Sequence, residues 1–228
     1  MKGFHGSLFY FSDLMEKNIS FQFKARYEQI GSISKETRAI WFVLHGYGQL
    51  AQYFIRKFSL LAETGVCVIA PEGLSRFYLE NIQDGNRKSD RVGATWMTKE
   101  NRLMDIDNYI EYLTSIYKHE VVADIPVTIL GFSQGSATAT RWALSGKVNF
   151  ERLILWSGVF PPDMDFKTGG DLLRRKDVWL VYGNKDPFLS DARFAEMEML
   201  REKLGIDVKK MEFDGAHDIH QPTLLKFI

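Results

Sequence analysis

Short, continuously apolar runs alternate with longer amphipathic stretches along this chain. Ile40 to Leu44 reads Ile-Trp-Phe-Val-Leu, and Val66 to Ala70, Val127 to Leu130, Leu153 to Trp156 and Val178 to Tyr182 are of the same kind. Runs of this length without a polar face suit strands buried on both sides, as in a parallel sheet. Phe21 to Tyr27 alternates apolar and polar residues, the pattern of a half-buried strand, and Val208 to Phe213 is a weaker strand candidate. Between the runs lie helical segments at Gln52 to Glu63, Lys99 to Tyr117, Ser133 to Leu144 and Asp191 to Leu204, with a short last piece at Thr223 to Ile228. The second of these carries Leu103, Ile106, Ile110, Leu113 and Tyr117 at three-to-four spacing, one apolar stripe of a helix.

The repeated strand–helix alternation predicts an α/β fold, a doubly wound and mostly parallel sheet with helices on both faces. It runs through residues 1–228 with no repeat, low-complexity tract or linker, so one domain is expected. The polar stretch Glu80 to Arg91 reads as a long loop of that domain, and such loops often sit over sites.

Composition narrows the function classes. Lysine plus arginine total 29, and aspartate plus glutamate total 29, so the zero net charge favours neither nucleic acid nor an anionic membrane surface. The single cysteine, Cys67, stands inside an apolar run and reads as a buried thiol, which excludes an intramolecular disulfide and a zinc site built on cysteines. The start of the chain lacks a basic-then-apolar signal pattern, and no apolar stretch is long enough to span a bilayer. A cytoplasmic protein without stable membrane insertion is the expectation. Asp163 and Asp165 are close in sequence, but no supporting ligands make them a metal pair, and no metal or cofactor is implied.

Gly131-Phe132-Ser133-Gln134-Gly135 matches Gly-x-Ser-x-Gly. Chance supplies such a match in about 0.08 of chains of this size, so the pattern alone is weak. Its place is more telling: a strand precedes it and a helical segment follows. At such a junction the turn lifts a serine hydroxyl off the carboxyl edge of a sheet, and the flanking residues must be small. A serine needs a base to take its proton. In the strand order of this architecture the acid and then the histidine come later, which leaves His217 and His220. His217 is preferred, because Gly215-Ala216 carries it directly after the last strand candidate. The acid follows Val178 to Tyr182, where Asp186 stands in Gly183-Asn184-Lys185-Asp186-Pro187; Asp214 is its rival. Asp191 reads as a helix cap, and Asp177 lies at the wrong edge. Ile40 to Leu44 leads into His45-Gly46-Tyr47-Gly48-Gln49, a loop able to bring the Tyr47 N–H beside the Gln134 N–H as an oxyanion hole. His45 precedes the acid and the serine in the order, which assigns it a structural role.

These four motifs, with Trp156-Ser157-Gly158-Val159-Phe160-Pro161, resemble the phospholipase/carboxylesterase family of α/β-hydrolases, which includes acyl-protein thioesterases. The resemblance covers roughly Ala39 to Ile228. It implies a triad of Ser133, Asp186 and His217, with Tyr47 and Gln134 forming the oxyanion hole. The chain departs from the family pattern at Gln49, usually Asp, at Ser136, usually Gly, at Asp218 after the histidine, and at Trp96-Met97-Thr98, usually Trp-Phe-Asp. The expected reaction is hydrolysis of a small ester or thioester, with Trp96, Phe160 and Phe188 lining the substrate pocket by loop position. Two other readings remain open: a non-catalytic binding protein that keeps the fold, and an acyltransferase.

Overall fold

The structure is a computed structural model that describes residues 15–79, 90–121 and 124–228. Its centre is a seven-stranded sheet in the order β1-β3-β2-β6-β7-β8-β9. The strands are β1 (Tyr27–Ile30), β2 (Ala39–Leu44), β3 (Val66–Pro71), β6 (Val127–Phe132), β7 (Arg152–Trp156), β8 (Asp177–Gly183) and β9 (Lys209–Phe213). All neighbours pair in parallel except β1, which runs antiparallel to β3. A two-stranded antiparallel hairpin, β4 (Ser75–Tyr78) with β5 (Val92–Thr95), stands apart from this sheet. Most of the expected Glu80 to Arg91 loop joins these two strands and lies outside the described residues.

The continuous apolar runs are explained by burial on two faces. In β2, Ile40, Phe42 and Leu44 point into one core layer, while Trp41 and Val43 point into the other. The first layer packs under α3 (Arg102–Glu120), α4 (Gln134–Leu144), α5 (Phe166–Leu173) and α6 (Asp191–Leu204). The second lies against the short helices α1 (Ala51–Phe54) and α2 (Ser59–Ala62), a 3₁₀ turn between them, and α7 (Gln221–Leu224). Cys67 is buried in the first layer, and burial pushes its thiol up to about 11.

Several boundaries differ from expectation for identifiable reasons. The strand expected over Phe21 to Tyr27 forms at Tyr27–Ile30 instead, while residues 15–26 are in no strand and Phe21 and Phe23 stay exposed. The β3 edge is already occupied by the Tyr27–Ile30 register, so the alternation upstream has no partner. The helix expected from Lys99 begins at Arg102, because Asn101 takes a left-handed φ of 47°. Ser190, not Asp191, caps α6, with its side chain accepting from the Arg193 N–H. Two elements escaped the pattern. Helix α5 is short and carries Gly169-Gly170, which weakens its helical signal. The β4–β5 hairpin is too polar and glycine-containing to read as a strand pair. Asp165 is the N-cap of α5, and Asp163 pairs with arginines, so neither is held toward a shared ion.

The order of strands reverses between β2 and β6. The chain moves outward from β2 to β3, then returns to build β6 to β9 on the other side. A crevice opens at the carboxyl ends of the strands at such a reversal, and the loops after β2 and β6 flank it. Phe42 lies beneath this point, edge-on to Trp142 with centroids 5.1 Å apart, and fully buried. Phe42→Ala is therefore expected to cost about 3–5 kcal/mol in urea unfolding; a loss under about 1 kcal/mol would contradict this packing.

Candidate active site

Ser133 occupies the single-residue junction between β6 and α4 with φ 54° and ψ −117°, a conformation that L-residues rarely adopt. The junction is so tight that a Cβ on Gly131 would lie 2.3 Å from the Gly135 carbonyl oxygen. One on Gly135 would lie 2.2 Å from the Leu44 carbonyl oxygen at the end of β2. These two positions must be glycine for helix and strand to cross this closely. The strained residue is held by its neighbours: the Ser133 N–H donates to Trp156 O at 2.8 Å, and its own carbonyl accepts from the Ser136 N–H at 3.0 Å. The Ser136 hydroxyl, where the family pattern usually has glycine, donates to Gly131 O at 2.7 Å and closes the turn from inside.

His217 and Asp186 meet across the loops that follow β9 and β8. His217 Nδ1 lies 2.7 Å from Asp186 Oδ2. Asp186 is buried, and its other carboxylate oxygen accepts from the Phe188 N–H at 2.9 Å. The two loops are stitched together, since Asn184 N–H donates to Phe213 O and Lys185 N–H to Gly215 O, both at 2.9 Å. The imidazole of His217 sits between the rings of Phe132 and Phe188, with centroids 4.8 and 4.7 Å away. The rival residues go elsewhere. Asp214 is exposed and pairs with Lys185, and His220 stacks on Phe213 and contacts Thr223 Oγ1. Asp177 begins β8 at the far edge, where it pairs with Arg152 and Lys209. Ser133 and His217 line one cavity of about 420 Å³, together with Met97, Gln134, Ser157, Phe160 and Phe188.

The loop after β2 folds against Ser133. A Cβ on Gly46 would meet Ser133 Cβ at 3.2 Å, so the glycine lets the backbone of Gly46-Tyr47 approach the serine. Gln49, which stands where the family usually has Asp, accepts from the Gly46 N–H at 2.8 Å through its side chain and fixes the turn. The loop is also sewn to β5, with Gly48 N–H donating to Ala94 O at 2.9 Å and Ala94 N–H to Gln49 O at 3.1 Å. The ring of Tyr47 is exposed and packs on Phe77 of the hairpin. The Gln134 side chain ties α4 to the same region, reaching Thr95 Oγ1 at 2.9 Å and Met97 O at 3.0 Å.

Of the three pocket residues expected from loop position, Phe160 and Phe188 line the cavity and Trp96 does not. Trp96 is 2% exposed and packs on His45, with its indole N–H donating to His45 O at 2.8 Å. Its flat, apolar ring completes the core beneath the β2 loop, and the next residue, Met97, faces the cavity instead. Sequence reasoning missed Thr95, Met97 and Glu72. The hairpin that positions the first two carries no strong periodicity. Glu72 is buried at the end of β3, clasped bidentately by Arg26 at 2.8 and 3.0 Å, and accepts from the Ala51 N–H that opens α1. A lone acid after a buried strand was the available signal.

His45 is fully buried, and its ring is satisfied on both sides. The Gly73 N–H donates to Nε2 at 2.9 Å, which leaves Nδ1–H to donate to Gly46 O at 2.7 Å. Burial pushes its pKa down to about 4, against a weaker opposing pull from the Gly46 carbonyl and Glu72. An unfolded histidine titrates near 6.5, so between those values the folded state holds fewer protons than the unfolded state. The stability due to neutral His45 is complete above about pH 6.5 and is lost as the pH falls toward 4, by an amount on the order of 3 kcal/mol. His45→Gln should therefore be less stable than wild type in urea at pH 7.5, with the gap narrowing by roughly 2–3 kcal/mol at pH 4.5. An unchanged gap would contradict a neutral, sequestered imidazole.

The likeness to solved structures is broad and distant in sequence. A structure of YahD with malic acid superposes with a TM-score of 0.63 at 20% identity, covering 89% of this chain and 96% of that one. Acyl-protein thioesterase 2 from Zea mays gives a TM-score of 0.63 at 17% identity, covering 90% and 96%. The carboxylesterase of Bacillus cereus gives 0.61 at 16%, covering 89% and 91%. Such likenesses establish the α/β-hydrolase fold. Among curated protein sequences, none matches this chain significantly. The phospholipase/carboxylesterase sequence pattern, however, matches residues 25–228, and the chain belongs to that family.

Proposed function

We propose that this protein is a serine hydrolase that cleaves carboxylic esters, or thioesters, through Ser133, His217 and Asp186. Family membership supports hydrolysis of such bonds as the class of activity. The observation that carries the finer reading is the 2.7 Å approach of His217 Nδ1 to buried Asp186, with His217 and the strained Ser133 on the wall of one cavity.

The chemistry follows from the groups present. Asp186 accepts the Nδ1 proton and so leaves Nε2 as the basic nitrogen of His217. Ser133 Oγ attacks the carbonyl carbon while its proton passes to Nε2. The oxyanion that forms is held by the backbone N–H groups of Tyr47 and Gln134, the latter at the positive end of α4. The tetrahedral adduct expels the alcohol or thiol, which takes the proton from Nε2 and leaves Ser133 acylated. Water then attacks the acyl-enzyme and gives a proton to Nε2. Collapse releases the carboxylic acid, and Ser133 Oγ recovers the proton. The cavity of about 420 Å³ suits a small substrate.

A fluorophosphonate probe should label Ser133 in the folded protein, and Ser133→Ala should abolish both labelling and hydrolysis of a short p-nitrophenyl ester. Absence of labelling in folded wild-type protein favours a binding protein that keeps only the fold. An acyltransferase would label and yet transfer the acyl group to an added alcohol or amine faster than to water. Asp186→Asn stabilises the wrong imidazole tautomer and should lower kcat about 10³–10⁴-fold. A loss smaller than tenfold would remove Asp186 from the mechanism.

A further inference from the structure

The cavity that contains Ser133 and His217 is also lined by two arginines, Arg141 and Arg193, and, among the described residues, by no aspartate or glutamate. Their charges are only partly answered. Arg141, on α4, is nearly buried, with 11% of its side chain exposed, and donates through Nη2 to Asp163 at 2.7 Å. That carboxylate is shared, because Arg102 also pairs with it. Burial alone would raise the Asp163 pKa, but the hydrogen bond and charge of Arg141, with the charge of Arg102, hold it below its ordinary value. The hydrogen-bond partner of Arg141 Nη1 is the thioether sulfur of Met97 at 3.6 Å, a weak acceptor for a cation. Arg193, in the first turn of α6, pairs with Glu196 on its own helix and keeps 41% of its side chain exposed. Arg141 and Arg193 line the cavity, whereas the carboxylates they pair with, Asp163 and Glu196, do not.

Ser157, on the cavity wall, has φ 50° and is 94% buried, with 6% exposure. Its backbone N–H is held by Val181 O at 2.7 Å, but its hydroxyl has no hydrogen-bond partner among the described residues. That hydroxyl oxygen is itself shielded from the cavity, so it is an unsatisfied group of the wall and not a contact for a ligand. Guanidinium donors beside Val159, Phe160 and Leu189 suit a short carbon chain that carries an anion.

We propose that the substrate is a small ester bearing a carboxylate on one of its two halves, held by Arg141 and Arg193 while the ester carbonyl is presented to Ser133. The proposal rests on the hydrolase reading and names its substrate class. Charge-assisted hydrogen bonds of this kind change binding by about tenfold or more.

Two matched pairs of esters test it by pH-stat. Monoethyl glutarate against ethyl valerate places the charge on the acyl half, and carboxymethyl butyrate against propyl butyrate places it on the alcohol half. Wild-type kcat/KM should favour the charged member of one pair by about tenfold or more. Arg193→Gln and Arg141→Gln should each reduce that charged-to-neutral ratio at least fivefold. The ratio is insensitive to partial misfolding, which lowers both members alike, and Arg193 is exposed enough for its variant to fold. Calorimetric titration with glutarate reads the anion site without turnover, and its affinity should fall about tenfold in Arg193→Gln. Turnover of the neutral esters with no charge preference in either pair overturns the proposal and leaves the hydrolase reading intact. A preference that survives in both variants also overturns it. Arginine-dependent glutarate binding without hydrolysis of any ester or labelling of Ser133 overturns the hydrolase reading and upholds the anion site.

Discussion

The structure around the site depends on the close crossing of α4 over β6, where the Gly131 and Gly135 backbones nearly touch each other and the end of β2. Any side chain at either glycine would force strand and helix apart. The crossing leaves Ser133 no relaxed backbone conformation, and a residue with φ 54° between two regular elements survives only because both are held by the core. The Ser133 N–H is taken by β7 and its carbonyl by α4, so the strain is shared with elements that cannot move independently. The sheet is thus more than a scaffold for a loop. Its β2–β6 reversal decides where the crevice opens, and the crossing decides which atom stands in it.

From that crossing, polar contacts spread outward and fix the remaining loops. The Gln134 side chain reaches the loop after β5, Trp96 from that loop holds the carbonyl of His45, and His45 holds Gly46 and Gly73. Each of these groups is buried or half-buried, so leaving one unpaired costs about 1–3 kcal/mol. The Gly46-Tyr47 turn therefore owes its position beside Ser133 to a chain of satisfied donors and acceptors, more than to its glycines alone. A neutral His45 belongs to this chain because a charged imidazole could not accept from the Gly73 N–H. This is also why a histidine beside the serine serves architecture, while His217, two loops away, is the one that meets a carboxylate.

The parallel core was legible in the sequence, because strands buried on both faces must be largely apolar, and β2, β3, β6, β7 and β8 are, with polar exceptions only near the starts of β6, β7 and β8 at Thr128, Arg152 and Asp177. The candidate triad was legible for a related reason. Ser133 and Asp186 each follow such a strand and His217 follows the weaker β9, and the order of those strands limits which acid and which histidine can meet. Residues whose role is set by neighbours distant in sequence were hidden. Trp96 looked like a pocket aromatic from its loop, but the direction of its ring depends on a hairpin whose strands carry neither a strong apolar pattern nor a turn signature. Phe21 to Tyr27 had the alternation of a strand but no free edge to join. Arg141 read only as part of an amphipathic helix, and its cavity-facing position depends on Met97 and Asp163, which come from elements on either side of α4 in sequence.

The two sides of the cavity are held by different kinds of contact. The elbow, the His217–Asp186 pair and the β2 loop are fixed by the sheet and by one another, so a change there disturbs the fold. The wall formed by α4 beyond its first turn and by the start of α6 includes side-chain contacts such as the Arg141–Asp163–Arg102 cluster. Substitution of Arg141 or Arg193 alters charge and volume on that wall, whereas Gly158 belongs with the crossing, since a Cβ there would lie 2.6 Å from Ser133 O. On the proposed reading, reactivity rests on backbone geometry that tolerates almost no substitution, and recognition on side chains that can be exchanged one at a time.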